Sequence, residues 1–448
     1  VGVRLPSRAL QDIFLHALCD LDQDIVCGST EPLDSFLHGP VDSVLHSIRI
    51  SARRFMTGTE AFEKPETPES SPEKRLAALA SLGLSLDMTR GKPSPEQLEL
   101  AQGMLSLPGE QGYLSPTGID CRNYGHAGGL PAVKDLFSSY LDLPSESIVL
   151  GGNSSLSLMY ETVSSALLHG VPQSSGSWQG QKIKFLCPVP GYDRHFAICE
   201  SMGIEMISVP MTDEGPQMDR VEELVSRDAQ VKGIWCVPRY SNPTGVTYSA
   251  GTVRRLAEMK TAADDFRIFW DNAYPVHFFR EELALLGCVL MSCKEAGHPN
   301  RPFIFSSTSK MSFAGSGLSL FSSSAENIQW YLSHMQKRTI GHDKINQLRH
   351  LLFFRDREGI DCHMRRHGEL LRPKFDLVDS ILNDELGQGS LARWTRPNGG
   401  YFVSLNTQDG CARAVVELAA QSGVRLTPAG ATFPYGVDPR DRNIRIAP

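Results

Sequence analysis

Short apolar segments separated by longer amphipathic ones dominate the chain from about residue 73 onward. Six mostly apolar runs, each bounded by turn residues, have the length and composition of buried strands. They lie at residues 147–150, 183–187, 205–209, 231–237, 267–270 and 303–305. Between them apolar residues recur at helical spacing, most clearly at Leu156, Met159, Tyr160, Val163 and Leu167. Alternating strands and helices predict an α/β fold with a mainly parallel sheet covered by helices on both faces.

The pattern changes toward both ends. Long helical segments fill about 327–383, and strands return at 401–405 and 443–446, which predicts a smaller α+β domain. Residues 9–55 have helical spacing without recognisable chemistry, so we predict a helical extension that packs on the main body or on a partner. The segment EAFEKPETPESSP at 60–72 has the composition of a linker.

The composition narrows the class of protein. With 448 residues, 41% hydrophobic and 21% charged, the chain can bury a large core and is not a disordered protein. Its 44 basic and 51 acidic side chains give a net charge of -7, which speaks against nucleic acid or an anionic membrane as a partner. No uncharged apolar run approaches the roughly 18 residues of a membrane span, and the N-terminal residues lack a secretory pattern.

The ten cysteines are scattered, without a C-x-x-C pair or a spacing suited to zinc. In a chain of this length such cysteines are typical of free thiols in a reducing compartment. We therefore predict a cytoplasmic protein without a metal site or a disulfide framework.

Polar clusters follow five of the predicted strands directly. They are GGNSS at 151–155, PVPGYDRH at 188–195, PRYSNPTG at 238–245, DNAY at 271–274 and SSTSK at 306–310. Each alone is ordinary turn chemistry. Because ligands bind at the carboxyl ends of parallel strands, the five together predict one site assembled from loops at one edge of the sheet.

Four of these clusters offer specific chemistry, each with a plainer alternative. GGNSS opens a helix and could bind a phosphate through backbone N–H groups, but Asn153 or Ser154 could equally be a simple helix cap. Lys310, among serines, could act as nucleophile or base, although most lysines are solvated surface charges. Asp271 ends an apolar strand, where its carboxylate needs a cation or strong donors unless it only caps the turn. Tyr192 and His195 could supply a stacking ring and a supporting hydrogen bond, or could pack in the core.

SNPTG followed by DNAY and then SxxK, in this order and spacing, resembles the aspartate aminotransferase superfamily of fold type I pyridoxal-phosphate enzymes over about residues 73–448. DMTRGKPSPEQL at 87–98, STSKMSFAGSG at 307–317 and HDKINQLRHLLFF at 342–354 resemble the Corynebacterium-type subgroup. The resemblance implies a large domain, with a mainly parallel seven-stranded sheet sandwiched by helices, and a smaller α+β C-terminal domain.

We expect five segments on this basis. They are a helical extension of open role at 1–59, a linker at 60–72, an N-terminal arm with part of the small domain at 73–120, a large cofactor-binding domain at 121–330, and a small C-terminal domain at 331–448.

The resemblance implies pyridoxal 5′-phosphate held as a Schiff base on Lys310, which also moves the proton between the substrate α-carbon and the cofactor. Asp271 would pair with the protonated pyridine nitrogen, which makes the cofactor an electron sink. Tyr192 would stack over the ring, and His195 would lie behind Asp271. Lys310, Asp271 and Tyr192 are the expected catalytic residues, and His195 is expected among the cofactor-binding residues.

Further residues are implied around the cofactor and the substrate. Asn242 and Tyr274 would hydrogen-bond the cofactor's phenolic oxygen. The phosphate is expected on Gly152, Asn153, Ser154, Ser307 and Ser309. Tyr124, in NYGHAGGLP, matches a tyrosine that reaches the phosphate of a neighbouring subunit, which implies a homodimer with shared sites.

The substrate contacts follow from two more motifs. Arg445, in NIRIAP, matches the arginine that grips the substrate α-carboxylate through two hydrogen bonds. Gly91, in TRGKP, lies in the loop expected to close over the substrate, and Asn242 is expected to touch the substrate as well as the cofactor.

Two features depart from the superfamily pattern. Many relatives carry an arginine about eight residues after the lysine, but MSFAGSGLS follows Lys310, so the cation that neutralises the phosphate is not identified. Relatives also continue beyond the Arg445 motif, whereas this sequence has three further residues and opens on Val1. We therefore expect a piece of a longer or processed polypeptide, with a C-terminal domain that is incomplete.

The function implied is an aminotransferase that passes the amino group of an α-amino acid to a 2-oxo acid in a ping-pong cycle. The subgroup favours aspartate or glutamate as donor, with Arg90, Lys92, Lys344 and Arg349 as candidates to read the side-chain carboxylate. The alternatives are a lyase or β/γ-replacement enzyme with the same lysine and, less favoured, a non-enzymatic cofactor-binding regulatory protein.

Overall fold

The computed structural model describes residues 72–280, 286–387 and 389–448. The predicted helical extension at 1–59, and residues 60–71 of the predicted linker, lie outside the described residues.

Thirteen strands are described. They are β1 (Leu86–Asp87), β2 (Ile148–Leu150), β3 (Lys184–Val189), β4 (Glu205–Thr212), β5 (Gly215–Pro216), β6 (Val231–Cys236), β7 (Arg267–Asp271), β8 (Pro302–Ser307), β9 (Ser319–Ser322), β10 (Ala392–Trp394), β11 (Val403–Thr407), β12 (Val424–Arg425) and β13 (Asn443–Ile446). Each of the eight predicted strand segments overlaps one of them.

Twelve α-helices are described. They are α1 (Pro72–Ser81), α2 (Pro95–Glu99), α3 (Pro131–Leu141), α4 (Ser155–His169), α5 (Asp193–Ser201), α6 (Met218–Arg227), α7 (Ala250–Glu258), α8 (Val289–Glu295), α9 (Ala325–Met335), α10 (Lys344–Phe354), α11 (Arg357–Leu386) and α12 (Ala412–Gln421). Short 3₁₀ turns lie at Gln102–Ser106, Gly109–Gln111, Ser145–Ser147 and Pro434–Gly436.

The larger sheet has the strand order β2-β9-β8-β7-β6-β3-β4-β5. The five central strands, in the spatial order β8-β7-β6-β3-β4, pair in parallel. At the edges β9 runs antiparallel to both β2 and β8, and the two-residue β5 runs antiparallel to β4. The α/β fold with a mainly parallel sheet is thus confirmed, and without β5 the strand number is the expected seven.

Apolar side chains alternate between the two faces of this sheet, as strands buried on both faces require. One face carries aromatic rings, including Phe185, Phe269 and Phe303, which pack with α4 and α5. The other face carries aliphatic residues such as Ile234 and Ile268, which pack with α3, α6 and α7.

Two local expectations were wrong. Helix α4 buries Leu158, Met159, Thr162, Val163 and Ala166, while Tyr160, which we placed on the apolar face, is 50% exposed. Strand β9, with the sequence SLFS, was not predicted. Its serines are fully buried, and the Ser319 hydroxyl donates to the Gly152 carbonyl (2.9 Å), so a polar residue sits in the sheet with its hydrogen bond satisfied.

A second hydrophobic core surrounds the antiparallel sheet β10-β11-β13. Helix α12 and the C-terminal half of α11 pack against it, and β1 pairs in parallel with β12. This pairing brings the segment around residue 87 to residue 425, next to the strand that carries Arg445. The described part of the chain contains no helix long and apolar enough to cross a membrane.

Candidate functional site

Asp271 is the last residue of β7, and its side chain is almost fully buried. One carboxylate oxygen, Oδ2, lies 3.0 Å from Nε2 of His195, which stacks flat on the Trp235 indole at 4.3 Å. The other oxygen, Oδ1, is buried without a hydrogen-bond partner. A buried carboxylate oxygen left unpaired is costly, so this atom is suited to a donor supplied by a bound group.

Lys310 follows β8, and its ammonium nitrogen lies 5.0 Å from the centre of the Tyr274 ring. Burial lowers the pKa of Lys310 below its ordinary value of 10.5, while the Asp271 charge acts in the opposite direction. A lowered pKa increases the fraction of neutral amine, which is the nucleophilic form. The lysine is therefore not the solvated surface charge of the alternative reading.

Tyr192 immediately precedes helix α5 and contacts His195 edge-to-face, with ring centres 4.9 Å apart. Burial raises the pKa of the Tyr192 phenol, and the charge of Asp271 raises it further. The pKa of Tyr274 is raised by burial as well, and then by Tyr192 and Asp271. Both phenols therefore stay protonated at neutral pH and can donate hydrogen bonds.

The loop before α4 and the loop after β8 are joined by a serine side chain. Ser309 donates from its hydroxyl to the Asn153 carbonyl (2.9 Å), and the Ser307 hydroxyl donates to Ser309 (3.2 Å). Ser154 occupies the N-cap position of α4, but its side chain makes no capping hydrogen bond. The plain capping alternative is therefore not what the structure shows, and the first amides of α4 remain open to an anion.

Arg445, on β13, is buried and forms hydrogen bonds through all three guanidinium nitrogens. It donates to the Asp193 carboxylate (2.8 Å), to Asn242 Oδ1 (3.2 Å) and to the Thr89 carbonyl (3.3 Å). The hydroxyl of Thr427 accepts from both Nε (3.3 Å) and NH2 (3.2 Å). Arg445 and Asn242 were each predicted to contact the substrate, whereas Asp193, Thr89 and Thr427 were not predicted as site residues.

The segment between β1 and α2 passes directly over this arginine. The Thr89 carbonyl also accepts from the Thr427 hydroxyl (2.7 Å). Gly91 packs so closely that an added Cβ would lie 2.6 Å from both Tyr401 Cβ and the Phe402 ring. Glycine is required here by close contact with these side chains.

Tyr124 stands apart from these groups. Its side chain is 82% exposed in the single chain, so it contributes nothing to the site of its own subunit as described. Among the cations proposed to read a side-chain carboxylate, Lys344 donates to the Gly125 carbonyl (3.1 Å) and Arg349 to the Leu107 carbonyl (3.1 Å). These two side chains are engaged with backbone groups.

A chain of buried polar residues behind the lysine was not predicted. Gln97 Nε2 donates to Tyr401 OH (3.1 Å) and lies 3.0 Å from Nδ1 of His367. Tyr401 OH donates to the Lys310 carbonyl (3.4 Å). Burial lowers the pKa of His367 to about 3, so the ring is neutral at physiological pH. This network fixes the backbone of the lysine from the side of α2 and α11, and no sequence motif signalled it.

These residues fit the cofactor that the resemblance implies. The unpaired Oδ1 of Asp271 provides an acceptor for a protonated ring nitrogen. The Lys310 amine has a lowered pKa, and the uncapped amides at Ser154 provide a place for a phosphate. The acceptor, the nucleophile and the anion site lie at the carboxyl ends of strands, at the same edge of one sheet.

Comparisons with known proteins agree with this arrangement. The family model described as aspartate amino-transferase matches residues 66–448. A Mycolicibacterium smegmatis protein named as an aminotransferase is 52% identical over 379 residues, which cover 84% of this chain and 89% of that protein. The aspartate aminotransferase of Corynebacterium glutamicum is 45% identical over 84% of this chain and 87% of its own length.

The fold is similar as well. The crystal structure of an aspartate transaminase from Corynebacterium glutamicum superposes with a TM-score of 0.82, covering 84% of this chain and 89% of that one at 45% identity. Relatives at this level of identity carry aminotransferase names, which gives no support to the alternatives of a lyase or a non-enzymatic regulatory protein.

Proposed function

The chain belongs to the aspartate aminotransferase family, and from this premise we propose which residues carry out its pyridoxal 5′-phosphate-dependent transamination and which amino acid it uses. The enzyme moves the amino group of an α-amino acid to a 2-oxo acid. We propose aspartate or glutamate as the donor, because the relative from Corynebacterium glutamicum is named an aspartate aminotransferase.

The roles at the centre follow from the surroundings of each side chain. Bound pyridoxal 5′-phosphate supplies an electron sink that stabilises negative charge on the substrate α-carbon. Asp271 would hold the ring nitrogen in its protonated form through Oδ1, and His195 would keep that carboxylate oriented. Lys310 would hold the cofactor and, once displaced by substrate, take the proton from the α-carbon with its neutral amine.

The remaining residues would bind and orient. Tyr192 would stack on the ring, while Tyr274 and Asn242 would donate hydrogen bonds to its phenolic oxygen. The phosphate would rest on a set of amides and hydroxyls, namely Gly152, Asn153, Ser154, Ser307 and Ser309, with Tyr124 of a second copy completing it in a homodimer. Two observations together carry this proposal: the buried, unpaired Oδ1 of Asp271, and the amine of Lys310, whose pKa is lowered by burial.

Substrate choice is tested with a panel of amino acids as donors and 2-oxoglutarate as acceptor, or oxaloacetate where glutamate is the donor. We expect aspartate and glutamate to give the largest kcat/KM. A larger value for apolar or aromatic donors would contradict the proposed acidic donor and leave the transaminase assignment in place.

The site is tested by Lys310→Ala. The variant is expected to lose the visible absorbance of the bound cofactor and its transamination activity, because no amine remains to hold the cofactor covalently. Lys184→Ala, which removes a lysine ion-paired with Asp228 at the start of β3, is the matched control and should keep both. Retained absorbance in Lys310→Ala would contradict the proposed attachment site.

A further inference from the structure

The arginine proposed to grip the substrate carboxylate already holds a carboxylate of the protein itself. Arg445 NH1 lies 2.8 Å from Asp193 Oδ1, and the other partners of the guanidinium are neutral. A guanidinium has five N–H donors and binds carboxylates best through two parallel hydrogen bonds. A substrate α-carboxylate that binds in this way must therefore compete with Asp193.

Asp193 is placed where an incoming ligand meets it first. Its side chain is 27% exposed, whereas that of Arg445 is 5% exposed. The side chains of Asn242 and Thr427, which also contact the guanidinium, are buried. Asp193, the exposed partner, is thus also the charged one. Its displacement would leave the guanidinium without an ionic partner and available to a carboxylate of the substrate.

A second cation lies beside Asp193. Arg194 Nε is 3.9 Å from Asp193 Oδ2, on the opposite oxygen from the one that Arg445 holds, and the Arg194 side chain is 38% exposed. A modest rotation of the Asp193 side chain would exchange one guanidinium for the other without leaving the carboxylate unpaired. Such an exchange avoids most of the cost of separating an ion pair that is partly removed from water.

We propose that Asp193 is a built-in counter-ion of Arg445, which the substrate carboxylate displaces and which Arg194 then receives. The inference rests on the proposed role of Arg445. Asp193 acts through Arg445, so it is a positioning residue that weakens carboxylate binding in the ground state while keeping the buried guanidinium paired when substrate is absent.

The test is a binding measurement with succinate, a dicarboxylate that has neither an amino nor an oxo group and cannot be transaminated. Calorimetric titration of the cofactor-loaded protein at fixed ionic strength gives its dissociation constant. Asp193→Asn, which keeps the shape and one acceptor oxygen, should lower this constant by roughly three- to tenfold, and Asp193→Ala should lower it too. With an amino-acid substrate, KM should fall while kcat changes little.

Weaker succinate binding in Asp193→Ala would overturn the proposal. If Asp193 only orients Arg445, Asp193→Ala weakens succinate binding and Asp193→Asn restores it toward the wild-type value. The variant Arg445→Gln distinguishes failure of this proposal from failure of the proposed function. It should abolish succinate binding whether residue 193 is Asp, Asn or Ala. If Arg445→Gln binds succinate normally, the assignment of the carboxylate site itself is wrong.

Arg194 is tested by a double-mutant comparison. Arg194→Gln should weaken succinate binding in the wild-type protein, since the displaced Asp193 has no second cation. The same change should have no effect in the Asp193→Asn background. An equal loss in both backgrounds would mean that Arg194 binds the ligand directly, and would overturn its role as the receiving partner.

Discussion

Asp271 and Arg445 both carry a buried charge, but they differ in how completely their polar atoms are hydrogen-bonded. The guanidinium of Arg445 is surrounded by acceptors, whereas Asp271 keeps one oxygen without a partner. An unpaired buried carboxylate oxygen is expensive, and functional sites are where proteins retain such costs. At the scale of single residues, the unpaired oxygen of Asp271 is therefore the atom of this site that calls for a donor from a bound group.

Gly91 gives a prediction at the same scale. Gly91→Ala would place a methyl group 2.6 Å from the side chains of Tyr401 and Phe402, so the segment over Arg445 must shift. We expect carboxylate binding to weaken by about 1–3 kcal/mol, the usual range for overpacking. Succinate titration measures the change.

Gly103→Ala is the matched control, because nothing lies within 4 Å of the added Cβ at that glycine. Equal effects of the two substitutions would show that the Gly91 contact does not determine binding.

Sequence motifs identify site residues that lie together in a short segment of the chain. They do not identify residues that are distant in sequence and come into contact only in the folded protein. Asp271, Tyr274 and Lys310 lie in motifs at strand ends and could be identified from the sequence. Asp193 lies in a motif too, but its partner Arg445 is 252 positions away, and nothing local distinguishes this aspartate from a turn residue. Thr427 has no motif at all.

At the scale of elements, apolar periodicity predicts the long strands and helices. Elements that bury polar residues interrupt this periodicity, so the sequence does not reveal them. Strand β9 reads as a loop because half of its residues are serines, and only distant partners, Gly152 for Ser319 and Ser147 for Ser322, explain their burial. Helix α11 similarly turns polar residues inward, since His363 is buried against the Met311 carbonyl and His367 is buried against His363. Sequence periodicity alone does not reveal such satisfied polar positions.

Buried neutral histidines predict a stability that depends on pH. His350 of α10 lies 2.8 Å from the Asn346 carbonyl and 2.9 Å from the Thr308 hydroxyl, and burial lowers its pKa to about 4. Between its unfolded pKa of about 6.5 and the folded value, the unfolded state binds the extra proton. Stability is therefore fully present above about pH 6.5 and is lost as the pH falls toward 4, by about 2 kcal/mol at pH 5.

The measurement is the melting temperature at pH 7 and pH 5. We expect the fall on acidification to be smaller in His350→Asn than in the wild type, because asparagine does not titrate in this range. His126→Asn, at an exposed position, should leave the fall unchanged. An unchanged fall in His350→Asn would show that this ring does not contribute to the pH dependence.

At the scale of the whole molecule, the exposure of Tyr124 predicts sites completed between two copies. A dimer assembled from Lys310→Ala and Tyr124→Ala chains would contain one site with Lys310 and a wild-type Tyr124 from the other chain. The second site of the same dimer would lack both groups. We therefore expect a refolded or co-expressed mixture to have more activity and tighter cofactor binding than either variant alone.

Each variant refolded with itself is the control for this mixture. Sedimentation must show a dimer in every sample. If the mixture behaves as the average of the two variants, Tyr124 acts within its own chain or not at all, and the shared site is excluded.

The hydrogen bonds of Arg445 also determine the order in which parts of the site can form during synthesis on the ribosome. The guanidinium joins Thr89, which lies 356 positions earlier, to residues after β6 and before β13. The large sheet needs no residue beyond Ser322, so all of its strands exist well before Arg445 has been translated. A nascent or prematurely terminated chain can thus possess Lys310, Asp271 and the loops around Ser154 and Ser309 without Arg445. If Arg445 binds the substrate as proposed, substrate recognition is acquired last, after the proposed cofactor site has been made.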